Sequence, residues 1–251
     1  MKTRTGAADV PAGYDPARFP AFAVTVDVVI LTLVDARLHV LLVRRGGAPF
    51  EGSWAIPGGF KRPDETLDEA AHRELVEETG VDVALLAQLG AYGDPGRDPR
   101  MHVVTVAYLA VVRDVGAISA GTDAADAALH PVDDVLGRVT PLAFDHSRIL
   151  GDAVERVRAQ LETSAMATAF VGPEFTLTEL RTVFEAVWGV RLDAANFRRG
   201  VAARGWVIPT GRRARPGPEG GKPAELFRAG DAWTHGGPIR RHHPPTERHT
   251  P

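Results

Sequence analysis

The sequence predicts an α/β chain in two parts, a layered α/β domain followed by a small module of two helices and two short strands. Three observations carry this. Up to Leu161, apolar and β-branched runs alternate with helical patterns, which implies strands and helices stacked in layers. From Thr176 the order becomes helix, short turn, helix, strand, turn, strand. The charge changes with it. Phe60 to Gly80 holds three basic against seven acidic residues, a balance of −4, whereas Val190 to Ala229 holds nine against three, a balance of +6. The formal charge of −3 over 251 residues conceals both, and that length allows one large domain or two modest ones.

Residues 1–20 are rich in Gly, Pro and Ala and are expected to form a mobile tail. Ala23–Val34 and His39–Arg44 are apolar runs separated by Asp35-Ala36-Arg37-Leu38, the pattern of a hairpin. Trp54-Ala55-Ile56 closed by Pro57-Gly58-Gly59 predicts a strand entering a tight turn. Thr66 with Glu69 forms a capping box, so a helix begins at Leu67, and Gly80 supplies its stop. Strands are expected at Ala84–Leu89 and His102–Val112, with the turn formers of Gly93 to Arg100 between them as a loop.

From Ser147 to Leu161 the apolar residues Ile149, Leu150, Val154, Val157 and Leu161 recur at helical spacing, a helix expected to join two bodies. A second capping box, Thr176 with Glu179, opens a helix that carries Leu177, Leu180, Val183, Phe184, Val187 and Trp188 on one arc of roughly 140°. Gly189 ends it, and Asp193 caps another helix running through Phe197 and Val201 to Gly205. Trp206-Val207-Ile208 and Leu226-Phe227 are short strands separated by a Gly/Pro/Arg-rich turn from Thr210 to Lys222. This is the order of a winged helix-turn-helix. Residues 231–251, including His242 and His243, lack periodicity and are expected to be disordered. The expected division is therefore a tail at 1–20, an α/β domain at 21–146, a connecting helix and linker at 147–169, a winged helix-turn-helix at 170–230 and a tail at 231–251.

The chain has no cysteine, which excludes a disulfide framework, a zinc–cysteine site and a thiol nucleophile. Its first residues lack the apolar core of a secretory signal, and Val28 to Val34 is too short to cross a bilayer. A soluble, cytoplasmic protein with no membrane partner is expected.

The chemistry concentrates in Gly59 to Val81, where Gly59, Glu65, Arg73, Glu74, Glu77, Glu78 and Gly80 have the spacing G-x5-E-x7-R-E-x-x-E-E-x-G. At roughly 100° per residue, Glu74, Glu77 and Glu78 fall within an arc of about 100°, on the side of Leu67, Ala70 and Ala71. Acids in a last turn oppose the helix dipole, and like charges at i, i+4 repel. Arg73 offsets part of this, and a divalent cation is the remaining remedy. The Pro-Gly-Gly turn lets a backbone carbonyl approach the same ion. Oxygen ligands favour a hard cation, so Mg2+ or Mn2+ is the expected cofactor.

The Gly59–Val81 stretch resembles the Nudix box. Phe50-Glu51-Gly52-Ser53-Trp54, Gly93 to Arg100 and Leu142-Ala143-Phe144-Asp145-His146 resemble the ADP-ribose-type branch of that superfamily. Phe175-Thr176-Leu177, Asn196-Phe197-Arg198-Arg199, Gly221-Lys222-Pro223-Ala224 and Leu226-Phe227-Arg228 are similar to the winged-helix module of Nudix-related transcriptional regulators of NAD metabolism. The likeness spans residues 20–230. It implies an α/β/α sandwich that hydrolyses a nucleoside diphosphate linked to another moiety. Glu74, Glu77 and Glu78 would hold the metal, with the Gly58 carbonyl as a further ligand. Arg73 would orient the glutamates and Glu65 would support the loop–helix geometry. The proton acceptor would be one of the glutamates or, from a separate loop, Asp98.

Candidate substrate contacts are Arg44 and Arg97 for phosphates, Gly59 within the box, and Trp54 or Phe50 as a wall. Asn196, Arg199 and Ala203 fall opposite Phe197 and Val201 and are expected to face a DNA major groove. Arg198, Arg204, Arg212, Arg213 and Lys222 are expected to contact phosphates or, from the wing, a minor groove. Two functions follow. One is a dimeric, ligand-responsive transcriptional regulator of NAD metabolism that binds double-stranded DNA and both binds and hydrolyses an ADP-ribose-like nucleotide. The other is an ADP-ribose pyrophosphatase without a regulatory role.

Overall fold

The computed structural model describes residues 13–120, 124–215 and 223–230. The expected tail at 231–251, most of that at 1–20, and Lys222 lie outside the described residues.

Strands β1 (Ala23–Val34) and β2 (Arg37–Arg45) form an antiparallel hairpin. Asp35 and Ala36 both have positive φ, so the connection is a two-residue turn whose twist suits the strands, tighter than the four-residue one expected. The two strands pair only where Leu31–Val34 meets Arg37–Val40, and then diverge. The fork is filled by β3 (Trp54–Ala55), which pairs with β2, and β4 (Gly58–Phe60), which pairs with β1. Val28 N–H donates to the Pro57 carbonyl at 2.8 Å and ties the crossing between β3 and β4 to β1.

Strands β5 (Ala87–Tyr92) and β6 (Val103–Val111) are antiparallel, and β6 runs parallel to β1 on the edge away from the fork. β7 (Ala124–Pro131) completes the sheet along β2. The sequence predicts β5 three residues too early, and it gives no sign of β7 or of the short helix α2 (Val132–Leu136) that follows. β7 is alanine-rich and ends in proline, poor strand material on its own, and it forms because β2 offers an open edge.

Helix α1 (Leu67–Thr79) lies on one face of the sheet, where Ala70, Ala71 and Leu75 pack with Val26, Val28 and Ile30. Its capping box is formed in full and Gly80 closes it with φ 70°. α3 (His146–Thr163) covers the other face with α2, so β1 is buried on both sides and reads as a continuous apolar run. The result is the expected α/β/α sandwich.

A short 3-10 turn, Ala165–Phe170, leads into α4 (Leu177–Trp188), α5 (Ala194–Ala202), β8 (Val207–Arg213) and β9 (Glu225–Ala229), the winged-helix order. α5 stops at Ala202, shorter than expected, and β8 extends to Arg213, into the stretch expected to be a turn. The helix expected as a connector is not a spacer. Ile149, Val154, Val157 and Leu161 of α3 share one apolar cluster with Val29 and Leu31 of the sheet and with Leu180, Phe184, Trp188 and Phe197 of the C-terminal part. Arg158 fastens it further, donating from Nε to the Val187 carbonyl at 2.9 Å and accepting from Trp188 Nε1 at 3.2 Å.

Phe184 sits between Trp188 and Phe197, with ring centroids 4.9 and 5.2 Å away. Phe184→Ala is expected to destabilise the protein by about 3–5 kcal/mol, as large-to-small changes in a packed core do, read from urea unfolding. With one shared core, both parts should unfold in a single transition.

Candidate functional site

The fork between β1 and β2 opens a cavity of about 690 Å3. One side is the acidic helix α1. Arg73 organises it, since its guanidinium donates to Glu65 twice, at 2.8 and 2.6 Å, to Glu74 at 2.6 Å and to Glu77 at 3.0 Å. A further donation reaches the Phe60 carbonyl at 3.1 Å and fixes the end of β4 against the helix. Bidentate bonding to Arg73 holds the Glu65 carboxyl down at about 2.

Glu78 accepts from the Gly58 N–H at 2.9 Å, and Glu74 lies so close over Gly59 that a Cβ there would meet its carboxylate at 2.5 Å. Glycine at 59 is therefore required by the approach of helix to turn. Burial pushes Glu78 up to about 7 and raises Glu74 as well. Glu77, although on the same side of the helix as Leu67, Ala70 and Ala71, has its side chain 49% exposed at the rim.

A buried polar network forms the floor. Asp27 of β1 reaches 3.5 Å from Arg97 and 3.5 Å from His146 Nε2. Arg97 is clamped by Asp145 through bonds of 3.0 and 2.7 Å. The Ile56 N–H donates to His146 Nδ1 at 2.9 Å. Asp27 Oδ2 is buried without a hydrogen-bond partner.

The opposite wall is cationic and aromatic. A register shift at Arg44/Arg45 turns both arginines toward the cavity. Arg44 donates to the Gly52 carbonyl at 3.0 Å, and Arg45 stacks 4.8 Å from the Phe144 centroid. Arg100 lies over Phe60 and Phe144 and grips Asp98 with bonds of 3.0 and 2.7 Å, which lowers the Asp98 carboxyl.

Glu74, Glu77, Glu78, Arg73, Gly58, Gly59, Arg44, Arg97 and Asp98 all line this one cavity. Three candidate substrate contacts change character. Trp54 is not among the lining residues, because its ring packs 4.2 Å from His130 while Ala55 lines the cavity. Arg97 lines it with its guanidinium already committed to Asp145. Phe50 stands behind the wall, edge-on to Phe144 at 4.8 Å. From sequence, Arg45 and Asp27 carry no role, and Arg100, Phe144 and His146 enter only within the segments Gly93 to Arg100 and Leu142 to His146 that carry the resemblance.

A hard cation fits the donor set. Glu78 is a desolvated carboxylate and Asp27 Oδ2 a buried oxygen without a hydrogen bond, 3.5 Å from Arg97, and both residues line the same space. Glu74, Glu77, Glu78 and the Gly58 carbonyl are the groups that would hold it. Among the described residues no three acidic or histidine side chains already converge on a point, since Arg73 draws Glu74 and Glu77 aside.

At the C-terminal module, Asn196, Arg198, Arg199, Ala203, Arg212 and Arg213 are exposed. Arg198 pairs with Glu225 at 3.3 Å and Arg212 with Glu174 at 2.9 Å, surface pairs weak enough to open for a phosphate. Arg199 bonds Asn196. Arg204 departs from the expected outward pose, folding back onto the Gly200 carbonyl and 5.6 Å from the Trp206 ring.

A NUDIX domain profile matches residues 23–152, more than half of the chain, which therefore belongs to that family. The profile of the NrtR DNA-binding winged helix domain matches residues 167–229, so this is a Nudix protein of the two-domain, NrtR type. It is 33% identical over 221 residues to the ADPR responsive transcriptional repressor NtrR of Acinetobacter baylyi, covering 86% of each chain. The crystal structure of Shewanella oneidensis NrtR complexed with a 27mer DNA is similar at 33% identity and a TM-score of 0.73, over 86% of this chain and 99% of that one. The Nudix domain of Shewanella oneidensis NrtR complexed with ADP ribose is similar at 40% identity and a TM-score of 0.53, over 58% of this chain and 95% of that one. Nudix hydrolases generally use divalent metal ions. Among the described residues no helix is long and apolar enough to cross a membrane.

Raising an acid's folded pKa makes stability depend on pH in a definite direction. Below about pH 4.5 Glu78 is protonated in both states. As pH rises through about 7 the buried group must ionise, and stability falls. In Glu78→Gln the melting temperature should fall less between about pH 4.5 and about 7, measured by thermal unfolding of both proteins. An identical slope in the two would mean that the carboxylate is not desolvated.

Proposed function

We propose that the cavity binds ADP-ribose or a related nucleoside diphosphate derivative together with Mg2+, and that this chain acts as a dimeric, ligand-responsive DNA-binding regulator of NAD metabolism. The observation that carries this is the opposition of charge across one cavity. Glu74, Glu77 and Glu78 stand on one side, and Arg44, Arg45 and Arg100 on the other. A diphosphate with a divalent cation fits between them, its charge shared between ion and guanidinium groups. The volume is within the range of small-molecule sites, roughly 300–1,000 Å3. The likeness to proteins described as ADPR-responsive and DNA-bound supports both halves. On DNA, α5 and its C-cap would present Asn196, Arg199 and Ala203 to bases, while Arg198, Arg212 and Arg213 contact phosphates; Lys222, outside the described residues, is a further candidate. A two-fold dimer would match a palindromic site.

A second reading, hydrolysis, is favoured by the complete set of acids and by 39% identity over 120 residues to an ADP-ribose pyrophosphatase of Methanocaldococcus jannaschii, covering 48% of this chain and 68% of that one. A bound Mg2+ would neutralise diphosphate charge and acidify an attacking water. The water oxygen would bond to phosphorus as the bridging P–O bond breaks, giving AMP and ribose 5-phosphate, with the proton passing to a carboxylate. Glu74 and Glu78, raised by burial, suit that acceptance, and Asp98 does not, because Arg100 keeps it ionised. Arg73 and Glu65 would hold the helix and turn in register.

In gel-shift titrations, ADP-ribose should change affinity for the DNA upstream of the protein's own gene. Arg198/Arg199→Ala should weaken binding about tenfold or more and flatten its salt dependence. A shift that survives this double change unaltered rules out α5 as the DNA contact. Incubation with ADP-ribose and Mg2+ separates the readings, since turnover absent in Glu77→Gln marks an active hydrolase, and equal null rates in both leave a sensor.

A further inference from the structure

His146 stands outside the Nudix box, yet it is the buried group that touches the glycine turn of the site. It is the first residue of α3, only 5% exposed, and the Ile56 N–H donates to its Nδ1 at 2.9 Å. A backbone N–H can donate only to a ring nitrogen that carries no proton, so the ring proton of the neutral imidazole sits on Nε2. Burial keeps the ring neutral by lowering its pKa. Nε2 faces Asp27 Oδ1 at 3.5 Å. Asp27 in turn pairs in register with Gly58, where a Cβ would meet Asp27 Oδ1 at 2.7 Å. The Gly58 N–H completes the path by donating to Glu78. One imidazole thus touches both sides of the turn, Ile56 directly and Gly58 through Asp27.

We propose that His146 is a positioning residue. It holds the Ile56–Gly58 turn so that the Gly58 N–H and carbonyl are presented to Glu78 and to the ligand. The ion-pair partners around it divide the work. Arg97 gives its hydrogen bonds to Asp145 and reaches Asp27 Oδ2 only at 3.5 Å, while Asp27 Oδ1 faces the histidine and the glycine. The proposal deepens the nucleotide-site reading and rests on it for the ligand, but not for the geometry of the turn.

The test compares the wild-type protein with His146→Leu, which fills the space without an acceptor, and His146→Asn, whose side-chain oxygen can replace Nδ1. Two quantities are read on the full chain: hydrogen exchange of the Ile56 amide without ligand, and ADP-ribose affinity by calorimetry. In His146→Leu the Ile56 amide should exchange about tenfold faster and ADP-ribose bind about tenfold more weakly, the scale of one buried hydrogen bond. His146→Asn should restore both to within about threefold of wild type. A merely space-filling histidine would give the opposite ranking, leucine at least as good as asparagine, and that ranking overturns the proposal. An unchanged Ile56 amide in His146→Leu overturns it as well. Failure of the wild-type protein to bind ADP-ribose would instead sink the nucleotide reading, and the amide exchange would still decide whether His146 holds the turn.

Discussion

The divergence of β1 from β2 beyond Leu31 and Val40 is the constraint from which the cavity follows. Two strands that part inside a sheet leave unpaired N–H and C=O groups on both inner edges, and such groups are costly when buried. Trp54–Phe60 supplies the missing partners, β3 for β2 and β4 for β1. The chain between them must cross the gap at close quarters, which is why Gly58 and Gly59 stand there. With Gly58 lodged against the Val26 carbonyl and Gly59 beneath Glu74, the backbone comes nearer to helix α1 than any side chain would allow. The cavity is the part of the fork that β3 and β4 do not fill.

Charge is then distributed according to what that gap permits. The acids of α1 are tolerated because Arg73 touches two of them, Glu74 and Glu77, and also Glu65 and the Phe60 carbonyl. Glu78 has the Gly58 N–H as its hydrogen bond and the charge of Arg45 nearby, with Glu74 and Asp27 as repelling neighbours. A carboxylate in that position favours a proton or a cation over isolation. The same logic explains the cationic wall, where Arg100 forks onto Asp98 and lies across two aromatic rings while staying open to solvent on its outer side.

What the sequence disclosed divides along a physical line. Thr66, Glu69 and Gly80 specify α1 because caps are local chemistry, complete within a few residues of the helix end. Thr176, Glu179 and Gly189 do the same for α4. The acids of the site were legible because they share one helical turn. Asp27, Arg97 and the adjacent pair Asp145-His146 come together from three separate places in the chain, and no spacing announces that meeting. Trp54 shows a subtler limit. Side chains alternate across a strand, and in a two-residue strand only the pairing with β2 decides that Ala55 faces the cavity and Trp54 faces His130. β7 escaped notice because its own residues favour no strand, and the edge of β2 imposes one.

Helix α3 begins at the floor of the cavity and ends against α4, with no slack segment between. Its 18 residues span about 27 Å. A rod of that length magnifies small rotations, so that a tilt of about 5° at His146 sweeps the opposite tip through about 2 Å. Because apolar side chains grip the rod along its whole course, such a swing has no soft joint in which to dissipate, and it arrives at the recognition module as displacement.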